Sequence, residues 1–427
     1  MSAADVLNNA IFAESPAAAA CLSELGRRAA YPRGIPYQSA QAKGTNYNAT
    51  IGQVTDGRGD PLPLPVLSSA LGDLDPRMSF LYSPPDGHIS LRQAWGRRQR
   101  RLSVSSEVQC TLPHLTVGLT HGLNLLAELF VDPGRPVLLP EPRWGNYDQV
   151  FELRRQGDLR GYRVFNDALE FDVQSLADRL SEVHEPAVVV LNHPQNPCGF
   201  TPTPAQAAQL VQVISAHRHP LVVIVDDAYS GMWHAEGLHE RSLFWDLAER
   251  CSAEHHTIFR IDGVTKEMVW FSGRVGFITA SLDPNGPAAT ALQSKLKCLN
   301  RSGLGSPPGP NQAMVLRALR DPDLERQIAD ANSVLRDRWR VLHRAVHSLD
   351  DPRLHPYPFN SGVFALIGVD RSLDVDALRQ HLIASQSLGL IGDRHLNALR
   401  IAYCSVHIDD IEELVRRLSA GLASFSP

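Results

Sequence analysis

Short hydrophobic runs alternate with longer amphipathic segments between about residues 110 and 280. Most runs are rich in β-branched residues, and each is followed by a turn and a helical pattern. Strands that alternate with helices in this way predict an α/β domain with a largely parallel sheet. The seven predicted strands are Leu115–Gly118, Pro136–Leu139, Gly161–Phe165, Ala187–Asn192, Leu221–Asp226, Thr257–Ile261 and Arg274–Ala280.

Two of these runs, at 188–192 and 221–227, read VVVLN and LVVIVDD and are almost entirely apolar before their polar ends. Such runs are typical of central strands that helices cover on both faces. Functional side chains in sheets of this kind lie just beyond the carboxyl ends of the strands. We therefore expect the functional residues to follow these strands.

The flanking regions have different patterns. Residues 1–65 are rich in Ala, Gly and Pro and predict an arm with part of a small domain, and residues 66–320 make up the large domain. Residues 321–427 predict a small α+β C-terminal domain. Its predicted elements are a long helix at Asp323–Leu349, apolar stretches at Gly362–Ile367 and Leu399–Ala402, and a closing helix from Asp409.

Composition and charge limit the partners and the cellular location that we expect for this protein. The chain has 427 residues, 43% hydrophobic and 20% charged, with a net charge of −5. Because it has no basic tract, neither nucleic acid nor a membrane surface is an expected partner. The N-terminus lacks a positively charged region, and the apolar stretch Ala17–Leu22 is too short for a signal or membrane helix. We therefore expect a cytoplasmic protein.

Cysteine and lysine usage limits the possible chemistry. The six cysteines form no Cys-X-X-Cys pair, which predicts reduced thiols and no disulfide framework or zinc site. Only four of the 41 basic residues are lysines, at positions 43, 266, 295 and 297. A mechanism that needs a lysine amine therefore has few candidates.

Two carboxylates and a phenol follow the strand at 221–226, in the sequence Asp226-Asp227-Ala228-Tyr229. An ionised Asp in a dry site raises the pKa of a neighbouring heterocyclic nitrogen, and the protonated ring then withdraws electrons. An Asp-Asp pair on its own is more often a cap beside a core tyrosine. Both interpretations stay open for these residues alone.

Lys266 follows the strand at 257–261, and Arg274 lies eight residues further on. An amine among apolar and aromatic groups has a lowered pKa, which suits a Schiff-base nucleophile, and a guanidinium suits a phosphate. A surface lysine is the usual alternative. The apolar neighbours of Lys266 weaken that alternative.

Two turn-dense segments offer further polar groups. Asn196 lies in the segment 192–199, from which its amide could bond a ring oxygen. The segment Gly118–Gly122 precedes a helical pattern, where free backbone N–H groups and the helix dipole can hold a phosphate. Alone, each segment indicates only a turn.

Together, in order and spacing over nearly the whole chain, these segments resemble the class I/II aminotransferases, pyridoxal 5′-phosphate (PLP) enzymes of fold type I. The resemblance implies a large domain with a seven-stranded, mostly parallel sheet and a small α+β domain. It implies that Lys266 holds PLP as a Schiff base and that Asp226 pairs with the pyridinium nitrogen. Tyr229 and Asn196 would contact the phenolic oxygen of the cofactor.

The resemblance extends to the phosphate and the dimer. It assigns the phosphate to Arg274, Leu119 and Thr120, and stacking on the pyridine ring to Trp144. Tyr82, in Tyr-Ser-Pro-Pro-Asp-Gly, resembles the tyrosine that reaches the phosphate of the neighbouring subunit's cofactor. The resemblance therefore implies a homodimer.

On the substrate side, Arg400 resembles the arginine that holds the α-carboxylate, and the arm at Ile51 and Gly52 resembles the segment that closes over the substrate. Two positions depart from the family pattern. Cys198 replaces the usual Thr, and Gly263 stands where many members have a phosphate-binding Ser. The phosphate is then expected to depend more on Arg274, Thr120 and backbone donors.

The resemblance implies an enzyme acting on an α-amino acid and a second substrate, with the Lys266 amine as general base. Transamination is the favoured reaction. Elimination of a β or γ leaving group, γ-replacement or carbon–carbon bond formation on a substrate like S-adenosylmethionine stays open, because the surroundings of Lys266 differ from the common subgroups. A PLP-sensing regulator is less favoured, since the first 65 or so residues contain no basic recognition helix.

Overall fold

The computed structural model describes residues 2–14, 22, 24–28, 34–72, 74–103 and 108–425. Cys21 and residues 17–21 of the apolar stretch near the N-terminus lie outside the described residues. The strands are β1 (Tyr47–Asn48), β2 (His114–Thr116), β3 (Pro136–Glu141), β4 (Asp158–Arg163), β5 (Ala187–Asn192), β6 (Leu221–Asp226), β7 (His256–Gly263), β8 (Gly276–Ala280), β9 (Leu354–Pro356), β10 (Ala365–Val369), β11 (Leu388–Gly389), β12 (Ile391–Asp393) and β13 (Ala398–Ile401).

The described helices lie between and around these strands. The α-helices are Ala3–Glu14, Glu24–Arg28, Ile35–Gln41, Pro65–Ser68, Pro76–Ser79, Ile89–Ser103, Leu119–Phe130, Val173–Ser181, Pro204–Ala216, Leu243–Arg250, Val264–Glu267, Pro287–Gly303, Gly309–Ala318, Leu324–His347, Val375–Gln386 and Ile411–Ser424. A π-helical turn covers Asp148–Leu153, and short 3-10 turns cover Ser69–Gly72, Tyr403–Ser405 and Ile408–Asp410.

The large sheet has seven strands in the order β2-β8-β7-β6-β5-β3-β4. β8 runs antiparallel to both of its neighbours, and the other pairs are parallel. β5 and β6 lie inside the sheet, and nearly all of their residues are buried. This arrangement confirms the predicted α/β fold and the seven strands.

Five of the seven strands differ from their predicted bounds, and the differences at β4 and β7 have a clear physical reason. β4 begins three residues before the predicted Gly161 because it is an edge strand with mostly exposed or half-buried residues, so no apolar run marks its start. β7 continues two residues past the predicted end at Ile261. Its polar residues Arg260 and Asp262 are buried and lie within ion-pairing distance of each other, which hydropathy does not reveal.

Apolar side chains cover both faces of the large sheet. The helix Leu119–Phe130 packs on one face, and the helices Pro204–Ala216 and Leu243–Arg250 pack on the other. Each of these helices places its apolar side against the strands, as their sequence periodicity predicts. The helices cover the faces of the sheet, and the segments that follow the carboxyl ends of the central strands lie together at one edge.

A second, antiparallel sheet of order β12-β13-β10-β9 lies in the C-terminal part of the chain. The predicted helix at Asp323–Leu349 is observed as Leu324–His347, and the closing helix is observed as Ile411–Ser424. β1 pairs with β11 in parallel, so the N-terminal arm lies against this part of the chain. The boundaries at residues 65 and 320 stay predictions.

Two features of the described residues bear on the environment of the protein. Cys110, Cys198, Cys251, Cys298 and Cys404 are all free thiols. No helix in the ranges given above combines the length and the apolar character needed to cross a bilayer.

Candidate active site

The candidate residues meet where three adjacent parallel strands end. Asn192 at the end of β5 pairs in register with Asp226 at the end of β6, and Asp226 pairs with Ile261 of β7. The segments that follow these strands carry Asn196, Tyr229 and Lys266. The sheet topology thus gathers side chains that are up to 70 residues apart in the sequence.

Asp226 is buried at the centre of this edge. The hydroxyl of Tyr147 donates a hydrogen bond to its Oδ2 at 2.7 Å, and the Ala228 N–H donates to its Oδ1 at 3.1 Å. Burial raises the pKa of Asp226 to about 6, and the Tyr147 hydrogen bond and the charge of Lys266 oppose this rise. A cationic ring nitrogen beside this carboxylate would be stabilised by its charge.

The surroundings of Lys266 favour the neutral form of its amine. Burial lowers the pKa of Lys266 to about 8, while the charge of Asp226 raises it and that of Arg274 lowers it further. The amine lies 5.3 Å from the ring centroid of Tyr229. A pKa near the working pH is what a nucleophile or general base requires.

Asn196 and Tyr229 form a polar pair beside this amine. The Asn196 Nδ2 donates to the Tyr229 hydroxyl at 3.4 Å, and burial raises the pKa of that hydroxyl, so it stays protonated. The loop that carries Asn196 is held by the Asn192 side chain, which accepts from the Asn196 N–H at 2.9 Å. Cys198 is buried, and its N–H donates to the side chain of Gln195 at 2.9 Å, so the loop is closed without the usual threonine hydroxyl.

A cradle for a phosphate lies at the N-terminal end of the helix Leu119–Phe130. Gly118 precedes this helix with φ of +76°, and a Cβ at this position would overlap the guanidinium of Arg274. Leu119 and Thr120 lie in the first turn, where backbone N–H groups lack partners within a helix. Over the described parts of the chain, Arg274 has no ion pair, so its charge is available to an anion.

Gly263 is required by the packing of two strands. A Cβ at Gly263 would lie 2.6 Å from the carbonyl oxygen of Val275, at the pairing of β7 with β8. A serine at this position would therefore force the strands apart. The departure from the family pattern has a steric cause.

Arg400 contacts the side-chain oxygen of Asn196, whereas Tyr229 contacts its side-chain nitrogen. One of its Nη atoms donates to the Thr50 carbonyl at 3.0 Å and the other contacts the Asn196 Oδ1 at 3.5 Å, but its Nε is buried without a partner. Burial lowers the pKa of Arg400 to about 10. A buried guanidinium with an unpaired N–H is suited to a carboxylate from outside the chain.

Phe364 and Tyr147 also line this site, and neither was predicted from the sequence. The guanidinium carbon of Arg400 lies 4.3 Å from the ring centroid of Phe364, and Gly52 packs so closely on this ring that a Cβ would overlap it. Ile51 is about half exposed beside this contact. The sequence signals were slight: an aromatic residue after Ser361-Gly362-Val363, and a tyrosine three residues after Trp144.

Trp144 and Tyr82 have different positions relative to this site. Trp144 is half-buried and contacts Tyr147 edge-on, with 5.6 Å between ring centroids. Tyr82 is 95% exposed, and it has no hydrogen bond within the described part of this subunit. The fold of one chain thus brings together every predicted site residue except Tyr82.

The donor set fits PLP. Its phosphate matches the start of a helix and Arg274, which has no ion pair among the described residues. Its ring nitrogen matches the buried Asp226, and its aldehyde matches the Lys266 amine. Arg400 keeps an unpaired donor for the carboxylate of a substrate.

Comparisons of sequence identify relatives. Residues 47–418 match the family model for aminotransferase class I and II. The mitochondrial aspartate aminotransferase of Schizosaccharomyces pombe is 22% identical over 85% of this chain and 84% of that protein. The 2-aminoadipate transaminase of Thermus thermophilus is 27% identical over 81% and 82%. The uncharacterised HTH-type transcriptional regulator YdcR of Escherichia coli is 30% identical over 40% of this chain, a match that spans only 35% of the regulator.

Solved structures share the fold. A kynurenine aminotransferase of Pyrococcus horikoshii has a TM-score of 0.81 at 15% identity, covering 95% of this chain and 98% of that one. The α-aminoadipate aminotransferase LysN of Thermus thermophilus has a TM-score of 0.76 at 20% identity, with coverage of 95% and 98%. Fold, site chemistry and family match agree: the chain belongs to the class I and II aminotransferases and is a PLP-dependent transferase.

Proposed function

We propose that this chain transfers the amino group of an α-amino acid to a 2-oxo acid, with Lys266 as the residue that holds PLP. The observation that carries the proposal is the meeting of a Lys266 amine of lowered pKa, a buried Asp226 carboxylate and a buried, partly unpaired Arg400 at one edge of the sheet. The aminotransferases among the relatives support transamination over elimination, replacement or carbon–carbon bond formation.

The proposed contacts with the cofactor use residues that lie close together in the structure. Lys266 would bind PLP covalently, and Asp226 would face the ring nitrogen, with Trp144 stacking on the ring. Asn196 and Tyr229 would bond the phenolic oxygen. The phosphate would bind Arg274 and the backbone N–H groups of Leu119 and Thr120. When bound, PLP supplies an electron-withdrawing ring that stabilises a negative charge at the α-carbon of the amino acid.

The side chains of the protein have three tasks around that ring. Arg400 binds the α-carboxylate of the substrate with parallel charge-assisted hydrogen bonds. The amino group of the substrate would take the place of Lys266 on PLP, which releases the lysine. The freed Lys266 amine, whose pKa without the cofactor is about 8, would then remove the α-proton and return it to the cofactor carbon that bears the nitrogen. Gly52, which packs on Phe364, and its neighbour Ile51 would cover the substrate and exclude water.

The assembly and setting are part of the proposal. The chain would act as a homodimer in which Tyr82 serves the phosphate of the partner subunit's cofactor, since Tyr82 is exposed and has no hydrogen bond to the described residues of its own subunit. The proposed setting is the cytoplasm, a reducing compartment that suits the five free thiols of the described residues.

The proposal is tested with the purified PLP-loaded protein and a panel of single amino acids, without any 2-oxo acid. We expect at least one amino acid to convert PLP to pyridoxamine phosphate, detected by mass spectrometry together with the 2-oxo acid, and a 2-oxo acid to restore PLP. Lys266→Ala should lose both the lysine-linked cofactor absorption and this conversion.

Incubation with S-adenosylmethionine distinguishes the alternative reactions. Release of methylthioadenosine while the cofactor stays PLP would contradict transamination and favour elimination or replacement. PLP binding without conversion by any amino acid of the panel would also contradict the proposal.

A further inference from the structure

A buried ionic network lies next to the candidate active site and is not part of it. Asp227 directly follows Asp226, and Glu267 directly follows Lys266. The side chains of Asp227 and Glu267 are 1% and 8% exposed. Asp226 and Lys266 are thus each followed in the chain by a buried carboxylate.

Two buried arginines hold these carboxylates. The Arg260 Nε pairs with Asp227, and an Nη of Arg98 pairs with Glu267. The side chains of Arg260 and Arg98 are 3% and 5% exposed. Arg260 belongs to β7, whereas Arg98 belongs to the helix Ile89–Ser103, so the two pairs come from different elements.

Gln99 joins the two ion pairs. Its Oε1 accepts from an Nη of Arg260 at 2.8 Å, and its Nε2 lies 3.4 Å from both carboxylate oxygens of Glu267. An uninterrupted chain of polar contacts therefore runs from Asp227 through Arg260 and Gln99 to Glu267.

Asp262 completes the network from β7. It accepts from the Trp95 indole N–H at 3.1 Å and lies 3.4 Å from an Nη of Arg260. Asp227, Asp262 and Glu267 thus share two deeply buried guanidinium groups. A fourth carboxylate, that of Glu325, also contacts Arg98. Its Oε1 lies 2.9 Å from the Arg98 Nε, and the Glu325 side chain is 40% exposed.

Fold stability alone does not account for this arrangement. Ion pairs taken out of water lose hydration that their mutual attraction only partly restores, and apolar side chains of similar size often stabilise a core equally well. What apolar side chains lack is direction, because hydrogen bonds fix the relative position of the groups they join. The network is directional, and both ends are attached to proposed catalytic residues.

We propose that Arg260, Gln99 and Arg98 are positioning residues, which set the Lys266 amine against the Asp226 carboxylate by holding Glu267 and Asp227. This inference rests on the proposed function of Lys266 and Asp226. A shift in either neighbour is transmitted to the catalytic side chain through a single peptide unit. Misplacement on the scale of 1 Å lowers the rate of chemistry by roughly 100-fold.

The test is Glu267→Gln in the PLP-loaded full chain, which keeps the shape of the side chain and removes its charge. We expect kcat for the best amino acid of the panel to fall about 10- to 100-fold with little change in KM. The absorbance of the lysine-linked cofactor should titrate at a midpoint lower by about half a pH unit or more, because the arginine charges behind Lys266 lose a counter-charge.

Glu325→Gln is the matched control. It removes the other carboxylate bound to Arg98, but Glu325 is partly exposed and is not adjacent to a catalytic residue. We expect its kcat and its cofactor titration to match those of the unmodified protein. If Glu267→Gln lowers the melting temperature while kcat and the titration midpoint stay unchanged, the network is structural only and the inference is wrong.

Gln99→Met provides a second variant if Glu267→Gln does not fold. This substitution keeps every charge and a similar side-chain volume but removes the link between the two ion pairs. We expect a smaller loss of kcat than in Glu267→Gln, at constant KM. An unchanged kcat would overturn the role of Gln99. Failure of the unmodified protein to convert PLP would count against the proposed function. Normal conversion by the unmodified protein and by Glu267→Gln alike would count against the network alone.

Discussion

At the scale of single residues, burial moves the two central ionisable groups towards neutrality. It raises the pKa of Asp226 to about 6 and lowers that of Lys266 to about 8. Each charge favours the charged form of the other, so the carboxylate is mostly ionised near pH 7 and the amine remains able to lose its proton. The cation of a bound ring would hold Asp226 ionised over a wider pH range.

Arg400 is predicted to serve the substrate and not the cofactor. Arg400→Lys keeps a positive charge but loses the planar fork, so the carboxylate can no longer receive two parallel hydrogen bonds. We expect KM for the amino acid to rise about tenfold or more, the effect of one lost charged hydrogen bond. The absorption spectrum of bound PLP should not change.

Arg379→Lys is a suitable control for this substitution. Arg379 is also buried, but it pairs with Asp376 at 2.9 Å on the helix Val375–Gln386. The KM of the Arg379→Lys protein should therefore match that of the unmodified protein. Loss of PLP from the Arg400→Lys protein with unchanged substrate binding would remove Arg400 from the substrate site.

At the scale of elements, the turn from β2 into the helix Leu119–Phe130 decides where the phosphate cradle forms. Gly118 has a positive φ, and the space a side chain would need is filled by Arg274. Arg274 itself has φ of +47°, a left-handed backbone that costs about 1–3 kcal/mol in a residue with a side chain. Such strain is commonly found where a backbone is held for a ligand.

Gly118→Ala should weaken PLP binding through this contact. The added methyl group must displace the Arg274 guanidinium, and alanine with a φ of +76° and a ψ of 172° costs roughly 1–3 kcal/mol of stability. We expect PLP to dissociate more readily, which dialysis followed by absorbance of the retained cofactor measures.

Gly134→Ala separates the two effects. Gly134 has φ of +79° and no atom within 4 Å of an added Cβ. The Gly134→Ala protein should lose a similar amount of unfolding free energy, measured by urea denaturation, and should keep its PLP. Equal loss of PLP from both variants would mean that backbone strain, and not contact with Arg274, governs cofactor binding.

At the scale of the whole molecule, one chain leaves a run of large apolar side chains in solvent. Phe80, Leu81 and Tyr82 are 87%, 66% and 95% exposed. Adjacent exposed apolar residues of this size are typical of an interaction surface. A second copy of the chain is the occupant that the resemblance at Tyr82 implies.

Subunit mixing tests whether the sites are shared. Lys266→Ala and Tyr82→Ala should each be inactive or nearly so, but refolding them together should restore activity. In the mixed dimer, one site would receive an intact Lys266 from one subunit and an intact Tyr82 from the other. If Tyr82 serves its own subunit, no mixed site is intact and the mixture stays at the level of the separate variants.

The sequence by itself determined the fold class, and it predicted most residues of the candidate site. Alternating apolar runs placed all seven strands, because strands buried on both faces must be apolar, and the bounds of β5 and β6 agree with the structure. Lys266, Asp226, Asn196 and Arg274 were predicted as site residues from their residue types and from the resemblance to the family. Their roles, like that of Tyr82 in a dimer, stay predictions.

The tertiary structure decided what depends on contact between distant residues. Tyr147 reaches Asp226 across 79 positions, and Phe364 reaches Arg400 from a neighbouring strand region, so neither has a local pattern. The end of β7 was missed because Asp262 is polar, and its burial depends on Arg260, which lies within ion-pairing distance. Hydropathy registers the type of a residue, whereas burial of a charge depends on its partner, and the partner is known only once the chain has folded.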